Sequence, residues 1–286
     1  MNPILKWCGI VLGALAGLIV IAIGYVAIAS QIMLDKTNPV QTKAFHAPIT
    51  AEAIARGAHL VTISGCISCH EDNLAGGLIS GMPPDVPSSV LYARNLHLLA
   101  KSFSDTDFER AIRHGVRPDG KDVILMPSDI YSNFSDDEVA SIIAYLRSLK
   151  PLGALTPEPR FGLVIRTLLV LGVLNSPENK PPLDLGPRYE RGRHLGLIAC
   201  AECHMTDFHG APNNSFVPAP DLTLVAGYDR SDFFKLMRTG KAAGNREVGI
   251  MSRTARHRFT HLTDDEINAI YDYLFARGNK LTSGTN

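Results

Sequence analysis

The 286-residue sequence has no excess of either charge: 28 Lys and Arg balance 28 Asp and Glu, and no basic run stands out. Nucleic-acid binding draws on clustered Lys and Arg that displace counterions, so nucleic acid is not an expected partner. Cysteine is scarce as well. Of five, Cys66 and Cys69 form one C-x-x-C pair and Cys200 and Cys203 another, while Cys8 sits at the edge of an apolar run and reads as a small hydrophobe. With His following each pair at once, nothing is left over for a disulfide framework. Charge is absent altogether between Lys6 and Asp35, where Gly9 to Ala29 is almost wholly apolar. As a helix that run crosses about 30 Å of hydrocarbon. Lys6 and the single tryptophan, Trp7, stand at its leading edge as cytoplasmic and interfacial anchors. The N-terminus is therefore expected inside and everything after Asp35 outside. The alternative is a cleaved signal peptide with Ala27-Ile28-Ala29 as its cleavage site. The run is longer than the usual apolar region of about 7–15 residues, which favours a retained helix.

The part of the chain beyond this run repeats itself. Arg56-Gly57-Ala58-His59-Leu60 precedes Cys66-Ile67-Ser68-Cys69-His70, and Arg191-Gly192-Arg193-His194-Leu195 precedes Cys200-Ala201-Glu202-Cys203-His204 with one residue fewer between. Asp107-Phe108, Met126 and Phe134 in the first copy match Asp232-Phe233, Met251 and Phe259 in the second, each pair 125 positions apart. Each copy closes on a helix opened by a capping box, Ser135 to Glu138 and Thr263 to Glu266, in which hydroxyl and carboxylate satisfy each other's backbone N–H. Val139, Ile142, Ile143 and Leu146, and likewise Ile267, Ile270, Tyr271 and Leu274, give these helices one apolar face. Helices are also expected to begin near Thr50 and near Pro187 and to run into the two cysteine motifs. Gly57 and Gly192 would let a crossing helix come close. The stretches 72–95 and 206–224 lack periodicity and read as loops.

These boundaries divide the chain into a transmembrane anchor at 1–35, a first domain at 46–150, a linker at 151–186 and a second domain at 187–280. The linker is punctuated by proline, but Phe161 to Leu174 is apolar, broken by Arg166 and too short to span a bilayer. A helix packed between the two domains is the simpler reading. A helix on the membrane surface or against a partner subunit is the other.

C-x-x-C-H is the attachment pattern of haem c, because the two thiols add to the two porphyrin vinyl groups and the adjacent His reaches the iron. Cys66, Cys69, Cys200 and Cys203 are thus expected to hold two haems, with His70 and His204 as proximal iron ligands. A lone C-x-x-C would also suit a dithiol or half a zinc site; two copies, each with its His inside a repeated unit, argue against both. A methionine sulfur as sixth ligand suits an electron carrier, since it raises the potential and closes the iron to substrates. Met126, followed by Pro127, is expected in that role for the first haem, with Met82 as its rival. Met251 holds the repeat-equivalent place for the second. Met205 lies too close to the motif, and Met237 falls within a helix. Histidines 114, 257 and 261 are alternative sixth ligands. Pro220 stands where a backbone carbonyl would orient His204; Arg94, at the corresponding place of the first copy, matches this imperfectly, with a propionate as its alternative partner. Arg253, Arg256 and Arg258 crowd after Met251, as propionate partners or a docking face.

The pattern resembles the c-type cytochrome subunits of membrane-bound bacterial dehydrogenases of alcohols, aldehydes and gluconate. The elements that carry the likeness are Asn95-Leu96 and Asp221-Leu222, Asp107-Phe108 and Asp232-Phe233, Met126-Pro127, and the two capping boxes, over about residues 50–278. Such subunits often carry three haem domains and many anchor at the C-terminal end, whereas here two motifs follow an N-terminal apolar run. The resemblance implies an all-α fold of two tandem class I cytochrome c domains behind a transmembrane helix. It also implies a non-catalytic relay in the inner membrane of a bacterium, its haem domains periplasmic. Electrons would come from a periplasmic dehydrogenase or a quinol-oxidising respiratory complex and leave to a terminal oxidase or soluble cytochrome. The competing readings are a dihaem peroxidase or thiosulfate-oxidising enzyme and the dihaem subunit of a haem-copper oxidase. The thiosulfate type wants a spare cysteine near a haem, and none is present outside the apolar run.

Overall fold

The computed structural model describes residues 3–38, 40, 43–79, 89–173, 180–211 and 218–284. Apart from four two-residue strands, the regular structure of these residues is helical, and the fold is all-α. Helix α1 (Pro3–Asp35) extends the apolar run at both ends. At about 1.5 Å per residue it is about 50 Å long, enough to span the hydrocarbon with a turn or more to spare. Leu12, Leu18 and Ile21 lie more than half exposed along it, which with its length makes it a candidate membrane span. Its last turn is tied down: Asp35 pairs with Lys121 at 2.8 Å, and Asn38 Nδ2 donates to Asp122 at 2.7 Å.

The first unit begins where Thr50 caps α2 (Ala51–Ile63), its hydroxyl accepting from the Ala53 N–H at 3.1 Å. The expected unbroken run into the cysteines is not found. The chain leaves the helix at Ser64, turns through Gly65 at φ +89°, and restarts as α3 (Cys66–His70). The cause is the extra residue in this copy: it must be shed without rotating α2 off its packing face, and glycine enters the left-handed region at little cost. Strands β1 (Gly77–Leu78) and β2 (Tyr92–Ala93) pair antiparallel, Gly77 opposite Ala93. Helix α4 (Leu96–Ser102) is capped by Asn95. Helix α5 (Asp105–His114) opens on a reciprocal Ser104–Asp107 box and stops at left-handed Gly115. The short α6 (Ser128–Tyr131) leads to α7 (Asp136–Ser148), whose Ser135–Glu138 box is formed in both directions. Helices α2 and α7 cross at Gly57, where a Cβ would overlap the Ser141 carbonyl.

The linker helix α8 (Leu163–Val170) does not pack between the units, the simpler of the two expectations; it lies against α1. Arg166 explains the choice, since its guanidinium donates to Ser30 Oγ at 2.9 Å and Gln31 Oε1 at 3.0 Å, the first polar groups after the apolar stretch. Ile165 is buried while Leu163 and Val164 remain partly exposed.

In the second unit α9 (Glu190–His204) runs unbroken through the cysteine motif. A 3-10 turn at Leu222–Gly227 precedes α10 (Arg230–Thr239), the β3 (Lys241–Ala242) and β4 (Arg246–Glu247) hairpin, α11 (Ile250–His257) and α12 (Asp264–Ser283). The Thr263–Glu266 box opens α12, and α9 crosses it at Gly192 against the Ala269 carbonyl, the counterpart of Gly57. Buried apolar residues of both units form one contiguous cluster. Around it the units exchange reciprocal bonds. His59 of the first donates to the Glu266 carboxylate at 2.9 and 3.0 Å, and His194 of the second donates to Glu138 at 2.9 Å. Each unit thus uses its repeated histidine to grip the other's capping glutamate.

Candidate haem sites

The second motif opens on a cavity of about 550 Å³. Cys200, Cys203 and His204 come to it from α9, Met251 from α11, and Leu222, Phe233, Met237 and Phe259 complete an apolar wall. Met251 thus reaches the chamber of His204 by a separate helix. The ring of His204 donates Nδ1–H to the Pro220 carbonyl at 2.9 Å, which leaves Nε2 as the free nitrogen. Burial lowers the His204 pKa and outweighs the carbonyl, so the imidazole is neutral, the form a metal needs. Burial also pushes the Cys200 thiol up to about 12 and Cys203 to about 11, keeping the sulfurs uncharged in an apolar wall. Thiols for two thioether bonds, an oriented neutral imidazole, a thioether sulfur and an apolar chamber make a donor set that fits haem c.

The first motif repeats this arrangement in its local bonds. His70 Nδ1 donates to the Arg94 carbonyl at 2.8 Å, and burial lowers its pKa. Burial raises Cys69 to about 11 and also raises Cys66. The Arg94 carbonyl therefore serves as the Pro220 carbonyl does, while its guanidinium, expected near a propionate, pairs with Glu158 at 2.7 Å. Met126 is partly buried and packs, like Cys66, against the common core. Its rival Met82 lies outside the described residues. Met237 is buried within α10, and Met205 ends α9 at φ +61°, as their sequence positions imply. The alternative histidines point elsewhere: His114 meets Glu109 at 3.4 Å, His257 meets Asp72 at 2.6 Å, and His261 is exposed.

Two features escaped the sequence reading. Arg277, fully buried on α12, donates to Asp221 at 3.1 Å, Thr223 at 3.1 Å and the Asp207 carbonyl at 2.8 Å, fixing the loop after the second motif. Partial burial would raise the Asp221 carboxyl, but Thr223, His209 and Arg277 hold it well below the usual range. In the first unit His97 does this work, its ring nitrogens lying 2.6 Å from the Asn73 carbonyl and 2.5 Å from the Lys150 carbonyl. The basic cluster after Met251 also divides. Arg253 and Arg256 are exposed, Arg256 pairing with Glu247 at 3.2 Å, whereas Arg258 is buried between the two units.

The cytochrome c family pattern matches residues 189–276, and that of cbb3-type cytochrome c oxidase subunit III matches residues 52–146. Over 89% of its length the chain is 28% identical to the cytochrome subunit of fructose dehydrogenase from Gluconobacter japonicus, covering 58% of that protein. It is 26% identical over 81% of its length to the gluconate 2-dehydrogenase cytochrome c subunit of Pantoea cypripedii, covering 61% of it. A third relative is the cytochrome c subunit of quinone-linked alcohol dehydrogenase from Gluconobacter oxydans, at 25% over 81% of the chain and 56% of that subunit. The chain thus spans less than two thirds of the length of the curated relatives it matches. With the motifs, the all-helical units and these matches in agreement, the chain is a c-type cytochrome that resembles the cytochrome subunits of fructose, gluconate and alcohol dehydrogenases.

Proposed function

We propose that the chain is a membrane-anchored dihaem relay. It takes electrons on the periplasmic side from a dehydrogenase or quinol-oxidising partner and passes them to a terminal oxidase or soluble carrier. Cys66 and Cys69 would hold one haem and Cys200 and Cys203 the other, with His70 and Met126, and His204 and Met251, supplying the iron's protein ligands. The observation that carries this reading is Met251 lining the same apolar chamber as His204. Bound haem supplies a one-electron iron couple; the chain's own groups make it a carrier. The Pro220 and Arg94 carbonyls fix the imidazole planes, the apolar wall excludes water, and a methionine sulfur bound to the iron would close it to substrate.

Retention of α1 is supported by its bonds to the rest of the chain at Ser30, Gln31 and Asp35. A dehydrogenase as donor is favoured by relatives matching 81–89% of the chain, against an oxidase-subunit pattern matching residues 52–146 alone. The test is ligand replacement in the full chain. Met126→Ala and Met251→Ala should each abolish the far-red methionine-to-iron charge-transfer band of one haem and lower its potential. The unaltered reduced protein should not bind carbon monoxide. Unchanged spectra in the variants, or ready carbon monoxide binding by the parent, overturn the reading. Purification of the native complex from membranes should bring down a dehydrogenase subunit; an oxidase core in its place supports the competing reading.

A further inference from the structure

We infer that Arg258 and Glu202 form one electrostatic centre shared by both haem-attachment segments, so that a change of charge at either residue shifts the potentials of both haems. The inference rests on the dihaem reading above. Arg258 is 4% exposed and belongs to the second unit, yet its Nε and Nη2 donate to the Ile63 carbonyl of the first at 3.3 and 3.1 Å. Ile63 ends α2, three residues before Cys66. On its other side the same guanidinium donates to Glu202 at 3.0 Å and to the Ala199 carbonyl at 3.4 Å. Ala199 directly precedes Cys200, and Glu202 stands between Cys200 and Cys203. A single cation therefore touches the second motif and the turn that leads into the first.

The local sequence makes room for it. A Cβ at Gly65 would overlap the guanidinium, so the glycine that sheds the extra residue of the first copy also admits Arg258. The device is one-sided. Asn133 lies 125 positions before Arg258, and its Nδ2 donates to Ile130 within its own unit. One charge pair thus serves two sites, and neither repeat contains a second copy of it.

The physical consequence follows from charge. The oxidised haem carries one more positive charge than the reduced form, so a nearby cation favours reduction and a nearby anion opposes it. Between two packed units the effective dielectric is far below that of water, and such effects carry over several ångströms. Arg258 and Glu202 cancel in part. Removing either exposes the other.

The test is redox potentiometry of the full-length dihaem protein in detergent, which resolves two waves. Glu202→Gln leaves the cation alone and should raise both midpoints; Arg258→Met leaves the anion alone and should lower both. A shift of about tenfold in each reduction equilibrium is expected, about 59 mV for a one-electron couple. Arg258→Lys keeps the charge and should hold both midpoints near the parent's while lowering thermal stability, because the forked contacts are lost. If Arg258→Met does not fold, Glu202→Gln still decides, since the Glu202 side chain is partly exposed. Movement of one wave alone, or of neither, overturns the inference. Failure of the dihaem reading looks different: the purified chain would lack two covalent haems and show no pair of waves.

Discussion

The reciprocal histidine–glutamate grip between the units makes a quantitative prediction. Glu138 performs two tasks: it closes the α7 capping box through the Ser135 N–H at 2.9 Å, and it accepts from His194 at 2.9 Å. Glu138→Ala removes a cap worth about 1 kcal/mol and a charge-assisted hydrogen bond worth about 1.5–3 kcal/mol. The His194 side chain is about a third exposed, which places the bond at the low end of that range after solvent screening. A total loss of about 2–3 kcal/mol follows, of which about 1–2 kcal/mol belongs to the pair itself. The pairwise part is isolated by a double-mutant cycle with His194→Ala, read by urea unfolding in detergent with far-ultraviolet circular dichroism. Acidity gives an independent arm. Burial alone would raise the Glu138 carboxyl, but His194 and the Ser135 N–H outweigh it and hold it below its ordinary value of 4.5. A carboxylate lowered on folding contributes its full stability above that ordinary value and loses it as pH falls through the lowered one. The gap between parent and Glu138→Ala should therefore close on acidification below about pH 4. A coupling energy under about 0.5 kcal/mol, the scatter of independent sites, would refute the reasoning.

The other expected outcomes are simpler. Gly57→Ala and Gly192→Ala each force two helices apart at a carbonyl contact and should each cost about 1–3 kcal/mol, read from the same unfolding curves; an unchanged midpoint contradicts the crossing. Arg166→Ala should release α8 from α1 and speed limited proteolysis within residues 151–173, so an unaltered cleavage rate counts against that docking. Arg277→Met removes the bonds to Asp221, Thr223 and the Asp207 carbonyl and should lower stability by about 1–3 kcal/mol, the exposed and still partnered Asp221 keeping the loss in that range, whereas an exposed arginine such as Arg253, replaced as a control, should change it by less than about 0.5 kcal/mol.

Features set by local pattern were legible in the sequence. The capping boxes, the two close-packing glycines, the paired cysteine motifs and Met251 all follow from short spacings that recur at a fixed offset. The Pro220 carbonyl on His204 follows from position along the repeat, whereas the Arg94 match is imperfect in sequence and its carbonyl bond to His70 emerges only in the fold. What was missed depends on contacts between distant segments. His59 and Glu266 lie 207 residues apart and His194 and Glu138 lie 56 apart, so no local period announces them. A usable signal was nonetheless present, since both histidines occupy the same place in Arg-Gly-x-His-Leu and both glutamates the same place in their boxes. The break at Gly65 was foreshadowed by the extra residue. The burial of Arg258 was not, because an arginine among exposed arginines carries no mark of the neighbour that will cover it. The linker helix went against the simpler expectation for a similar reason: its partner surface, the end of α1, exists only once the chain has folded back.

Two haems held at two sites would show in the mass of the intact chain purified from membranes under denaturing conditions, followed by peptide mapping. The mass should be increased by two haems, one on the peptide with residues 66–70 and one on the peptide with residues 200–204. An increase of one haem or none, or a free thiol at any of the four cysteines, would contradict the dihaem reading.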